Sequence, residues 1–117
     1  MKILFLGDIV GNSGCDAIKK NLSNILKENE INFVVTNGEN SFNSGIGISE
    51  NITNELISCG VDVITTGNHV WGQKETFDHI KKEKRLLRPY NLIGDPPGHG
   101  FNIYNSRDGY KVGVLNI

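Results

Sequence analysis

Apolar positions along the chain fall into two alternating patterns, short unbroken runs and longer stretches with helical spacing. Ile3-Leu4-Phe5-Leu6 runs up to Gly7-Asp8, which fits a strand buried on both faces. After Ser13, the residues Ile18, Leu22, Ile25 and Leu26 mark one face of an amphipathic helix, with Ser13 as its N-cap and Asp16 in its first turn. Phe33-Val34-Val35-Thr36 is a second run, stopping at Asn37-Gly38-Glu39-Asn40 before a polar, glycine-rich loop from Ser41 to Gly47. Ile52, Leu56 and Ile57 predict a second helix between Ser49 and Cys59, closed by Gly60 in the left-handed capping position. A third strand is expected over Val61 to Thr65, ending at Gly67-Asn68-His69. A third helix is then expected over Gln73 to Lys82, with Phe77 and Ile80 on one face and His79 on a solvated face among Lys81, Lys82 and Lys84.

Strands alternating with helices in this way predict an α/β fold, a parallel βαβ sheet with flanking helices. Beyond Lys84 the pattern changes. Arg88-Pro89 and Asp95-Pro96-Pro97-Gly98 mark a loop, and Phe101 to Tyr104 and Val112 to Leu115 flank a turn at Arg107-Asp108-Gly109, predicting a C-terminal β-hairpin. No internal repeat, low-complexity tract or linker interrupts residues 1–117, which read as one domain or one piece of a domain.

Composition narrows the functional classes. The formal charge of −1 gives no bulk attraction to nucleic acid or anionic lipid, so any phosphate recognition must be local. The two cysteines, Cys15 and Cys59, form neither a CxxC pair nor a disulfide framework, and with no apolar run near the roughly 20 residues of a membrane span, a cytoplasmic location is expected.

In an open parallel sheet, ligands bind beyond the carboxyl ends of the strands, which makes Asp8, Glu39, Asn40, Asn68 and His69 the candidates. Three have a plainer reading: Asp8 as a helix N-cap or turn former, Asn68 in a left-handed turn and His69 as a helix cap. Glu39 between Gly38 and Asn40 is a poor turn former, whereas its two oxygens suit the bridging of two cations. A phosphoryl-transfer centre with two metal ions needs such a bridging carboxylate, further oxygen donors and usually several imidazoles. Asp8, Glu39 and Asn68 supply oxygens, and His69 lies where it could act as a general acid.

Taken together, Gly7-Asp8-Ile9-Val10-Gly11, Asn37-Gly38-Glu39-Asn40, Thr66-Gly67-Asn68-His69-Val70-Trp71 and Arg88-Pro89-Tyr90-Asn91 resemble the YmdB-like branch of the calcineurin-type metallophosphoesterases, in register along the whole chain. Gly-Glu-Asn in place of the superfamily's usual Gly-Asp, with Asn-His-Val-Trp, narrows the match to this branch. The resemblance implies a cytoplasmic phosphodiesterase acting on cyclic nucleotides, 2′,3′-cyclic ones included, with two divalent metal ions of iron or manganese type. It implies Asp8, Glu39, Asn40 and Asn68 as metal ligands, Glu39 bridging, and His69 as the catalytic imidazole. Val10 stands where the wider superfamily has a histidine, a change the branch tolerates.

The resemblance also implies that such proteins continue well past Ile117 and place their remaining metal-binding histidines there, since neither His79 nor His99 matches a family ligand. Residues 1–117 are therefore expected to be the N-terminal part of a metallophosphoesterase α/β sandwich, an incomplete half. Its expected partners are a small nucleotide or other phosphodiester substrate, with a complementing C-terminal half or a second copy of the chain. Two other readings compete. A nucleotide-binding module fits Gly7, Gly11 and Gly14 poorly, because their spacing is not Gly-x-Gly-x-x-Gly. A structural homo-oligomer would reuse the half-fold through its open sheet edge.

Overall fold

The computed structural model describes every residue from Met1 to Ile117. In chain order its elements are β1 (Ile3–Val10), α1 (Gly11–Glu28), β2 (Phe33–Asn40), α2 (Glu50–Ser58), β3 (Val63–Thr65), a 3₁₀ turn (Asn68–Gly72), α3 (Thr76–His79), β4 (Leu86–Leu87), β5 (Phe101–Asn105) and β6 (Lys111–Leu115). The first four strands make one parallel sheet in the order β1-β2-β3-β4, and β5 and β6 pair antiparallel as a separate hairpin.

Side-chain alternation along the strands divides the core in two. Val34, Ile64 and Leu86 face one way and pack with Leu22 of α1 and Ile52 and Leu56 of α2. Phe33, Val35, Val63 and Leu87 face the other way, against Tyr104, Val112 and Val114 of the hairpin. Both helices thus cover one face and the hairpin covers the other, which explains why the strands read as unbroken apolar runs. Burying Phe33 and Leu87 completely contributes roughly 1.5–3 kcal/mol each.

The structure corrects several sequence expectations. Helix α1 begins at Gly11, directly after the strand, so Val10 is its N-cap residue, Ser13 lies inside the helix and no acidic residue occupies its first turn. Ser49 does cap α2, its Oγ accepting from Ile52 N at 3.2 Å, and Gly60 follows that helix with φ +113°. The long third helix is absent; a 3₁₀ turn and the four-residue α3 stand in its place. Ile80 is buried but Phe77 is 43% exposed, its ring tilted against Trp71. His79, expected in solvent, is buried with its Nδ1 3.6 Å from Glu50 Oε1, because the short α3 turns it inward rather than continuing the lysine-bearing surface. The short β4 was not foreseen, since two apolar residues carry no period.

Along the outer strand and the hairpin, apolar side chains remain in water. Ile3 and Phe5 of β1 are 49% and 65% exposed, and Phe101, Ile103 and Leu115 on the outer hairpin face are about half exposed. No helix is long and apolar enough to cross a membrane.

Candidate functional site

Strand pairing delivers the candidate residues to one edge. The β1–β2 ladder runs evenly from Ile3↔Phe33 to Leu6↔Thr36, then shifts so that Asp8 pairs with Asn37 and Val10 with Asn40. A bulge of this kind bends the strand and re-aims a side chain, and bulges concentrate beside functional sites. It lets β1 and β2 continue past the points where their apolar runs stop, so Asp8, Glu39 and Asn40 are held on extended backbone rather than in loose loops. Glycine permits the close packing. A Cβ at Gly38 would fall 2.8 Å from Ile64 Cγ2, and one at Gly67 would collide with the Glu39 carboxylate.

The polar groups form one connected set. Asn40 Nδ2 donates to Asp8 Oδ2 at 2.9 Å and Oδ1 at 3.1 Å, and the Asn40 Oδ1 stands 2.6 Å from His69 Nδ1. Because an ionised carboxylate only accepts, the Asn40 amide nitrogen must face Asp8 and its oxygen must face His69. Nδ1 of His69 therefore carries the proton it donates, leaving Nε2 as the working nitrogen. Glu39 is held from both sides: Asn37 Nδ2 and His69 N each donate to its carboxylate at 3.4 Å, and Glu39 N donates to Asn37 Oδ1 at 3.1 Å.

Asp8, Glu39, Asn40 and His69 are thus brought into contact across three strand ends. Asn68 lies at the same turn with its side chain exposed and free of hydrogen bonds. Neither Asp8 nor Glu39 has a Lys or Arg partner within ion-pair distance. Carboxylates and amide oxygens of this kind suit hard divalent cations. No three His, Cys, Asp or Glu side chains of this chain converge tightly enough to hold a metal ion by themselves.

Two residues outside the predicted ligand and catalytic set belong to this edge, Arg88 of the Arg88-Pro89-Tyr90-Asn91 motif and Asn116. Arg88 directly follows β4, whose pairing of Thr65 with Leu87 places it beside Thr66. Asn116, 8% exposed, donates from Nδ2 to Thr66 O at 2.7 Å and Leu87 O at 3.0 Å, tying the peptide before Gly67-Asn68-His69 to the end of β4. Arg88 stood out in the sequence through its motif, whereas Asn116 was not readable without β4. His99 is exposed in its loop, and His79 lies with α3, outside the connected set.

The largest cleft, about 620 Å³, opens elsewhere, at the amino end of β3 between residues 82–85 and the hairpin. Its arginines are committed: Arg85 Nε and Nη2 each lie 2.9 Å from the Glu83 carboxylate, and Arg107 Nη1 is 2.7 Å from Asp62 Oδ2. We read this cleft as the seam between sheet and hairpin, and the carboxyl edge as the chemical site.

Comparison with known proteins agrees with the geometry. The chain is 39% identical over its whole length to the 2′,3′-cyclic-nucleotide 2′-phosphodiesterase of Bacillus subtilis, covering 44% of that protein. It superposes with a TM-score of 0.88 on a crystal structure of a novel phosphatase of Mycoplasma pneumoniae, at 32% identity, covering all of this chain and 42% of that one. A hypothetical protein of Thermus thermophilus matches with the same TM-score at 30% identity, covering 98% of this chain and 44% of that one. The chain therefore spans less than half the length of these relatives. A model of the YmdB-like protein family matches residues 4–117, and the chain belongs to that family.

Proposed function

We propose that this chain supplies the strand-edge half of a metal-dependent phosphodiesterase centre that hydrolyses phosphoester bonds of small nucleotides, cyclic nucleotides among them. The observation that carries the reading is the hydrogen-bonded set joining Asp8, Asn40, His69 and Glu39 across three strand ends. The name of the Bacillus subtilis relative supports the substrate class.

In this reading Asp8, Glu39, Asn40 and Asn68 would hold two divalent metal ions of iron or manganese type. Bound there, the ions would supply Lewis-acid polarisation of the phosphoryl group. His69 is oriented through Nδ1, which leaves Nε2 toward the leaving oxygen. As the imidazolium, after taking up a proton from solvent at Nε2, it gives that proton to the departing alkoxide and returns to the neutral ring. Remaining imidazole ligands come from outside residues 1–117. The exposed apolar residues of β1 and the hairpin suit burial beneath the C-terminal segment that the relatives carry, or beneath a second copy of the chain. Two unpaired cysteines agree with a cytoplasmic setting.

Manganese titration followed by electron paramagnetic resonance tests the ligand assignment. Wild-type chain should bind manganese weakly, and Glu39→Gln should bind less. Equal binding by the two proteins would remove Glu39 from the ligand set.

A further inference from the structure

We propose that Arg88 is the phosphate-binding residue of this edge, gripping the non-bridging oxygens of the substrate. The proposal rests on the phosphodiesterase reading above and adds a substrate contact to it.

The chain has three arginines, and two are neutralised within it. Arg85 is paired with Glu83 and Arg107 with Asp62, whereas Arg88 has no carboxylate partner. Its Nε is fully buried and meets no acceptor, and its only side-chain hydrogen bond runs from Nη1 to the neighbouring Pro89 O at 2.9 Å. Nη2 makes no hydrogen bond, so the outer edge of this partly exposed guanidinium, at the end of a parallel strand, is open to an anion. The planar fork matches two oxygens of a phosphodiester, which a lysine cannot do.

The backbone around Arg88 is held in place in advance. Arg88 N donates to His99 O at 2.9 Å and Tyr90 N to Asn116 O at 2.8 Å. Gly100 lies so close beneath Tyr90 that a Cβ there would fall 2.5 Å from Tyr90 Cα. Through Asn116 Nδ2, the peptide leading to Arg88 shares an anchor with the one leading to His69. This fixes the backbone that carries Arg88 relative to the backbone that carries His69, so only the arginine side chain has to adjust when a phosphate arrives. The charges also divide usefully: Asp8 and Glu39 repel a phosphate unless cations cover them, and Arg88 is the edge's own attraction for it.

The test is a titration of the ¹⁵N-labelled chain with 2′,3′-cyclic AMP, with and without manganese, following the Arg88 Nε–H resonance. That resonance should shift on binding, and Arg88→Gln should weaken affinity by about ten-fold or more, as loss of a charge-assisted fork predicts. Arg88→Lys should recover only part of it, and both variants should keep wild-type manganese binding. A resonance unmoved at saturation, or equal affinity in the lysine and glutamine variants and the wild type, would overturn the Arg88 assignment alone. Failure of the wild-type chain to bind the nucleotide under either condition would overturn it together with the reading beneath it.

Discussion

The two ends of the central sheet handle charge in opposite ways. At the amino end every arginine is spent on structure: Arg107 reaches Asp62, Asn32 O and Gly60 O, while Asp62 also accepts from Val34 N at 2.7 Å. These contacts stitch the hairpin turn to the starts of β2 and β3. At the carboxyl end Asp8 and Glu39 have no cation and Arg88 has no anion, although all three lie on the same edge of the sheet, Asp8 and Glu39 on adjacent strands and Arg88 beyond β3. The unpaired charges of this edge lie at strand ends, where an open parallel sheet binds its ligands.

Substitutions at the two ends should therefore behave differently. The largest effect is expected from Arg107→Ala, which leaves Asp62 without its guanidinium. Chemical denaturation should show a loss of about 2 kcal/mol, below the fully buried case because both side chains are partly in water. Asn116→Ala should cost about 1–2 kcal/mol by removing two buried hydrogen bonds, and should speed amide exchange around His69.

A smaller, pH-linked effect is expected at Tyr104. Burial pushes its hydroxyl up to about 12, against 10.0 when unfolded. The raised value favours the folded state fully below pH 10, and the contribution is lost as pH rises toward 12. Urea denaturation at pH 9 and pH 11 should show a larger drop for wild type than for Tyr104→Phe. Arg88→Gln, by contrast, should change stability by no more than about 0.5 kcal/mol, since its charge has no internal partner to lose. A loss as large as that of Arg107→Ala would erase the distinction between the two ends.

Much of this was legible in the sequence because the inner strands are buried on both faces, whereas β1, read the same way, keeps Ile3 and Phe5 in water. Phe33 to Thr36 announced itself as an unbroken run, and the polar groups that follow the strands marked the candidate edge. The start of α1 was not legible: the chain enters the helix at Gly11 straight from a bulged strand, so no side-chain cap signals it. Nor was β4, whose two residues gain their strand character only from pairing with β3. Missing β4 concealed Asn116 as a member of the site edge and left Arg88 known only by its motif. His79 was misplaced because a lysine-rich neighbourhood predicts solvent, while the actual break after α3 turns the imidazole into the core.

The most direct test is manganese-dependent hydrolysis of bis-p-nitrophenyl phosphate by this chain, assayed alone and with the separately expressed C-terminal segment of the Bacillus subtilis relative. The account predicts turnover in the complemented mixture that is lost in His69→Ala while manganese binding persists. Turnover that survives His69→Ala, or a complemented and folded mixture that stays inactive, would contradict it.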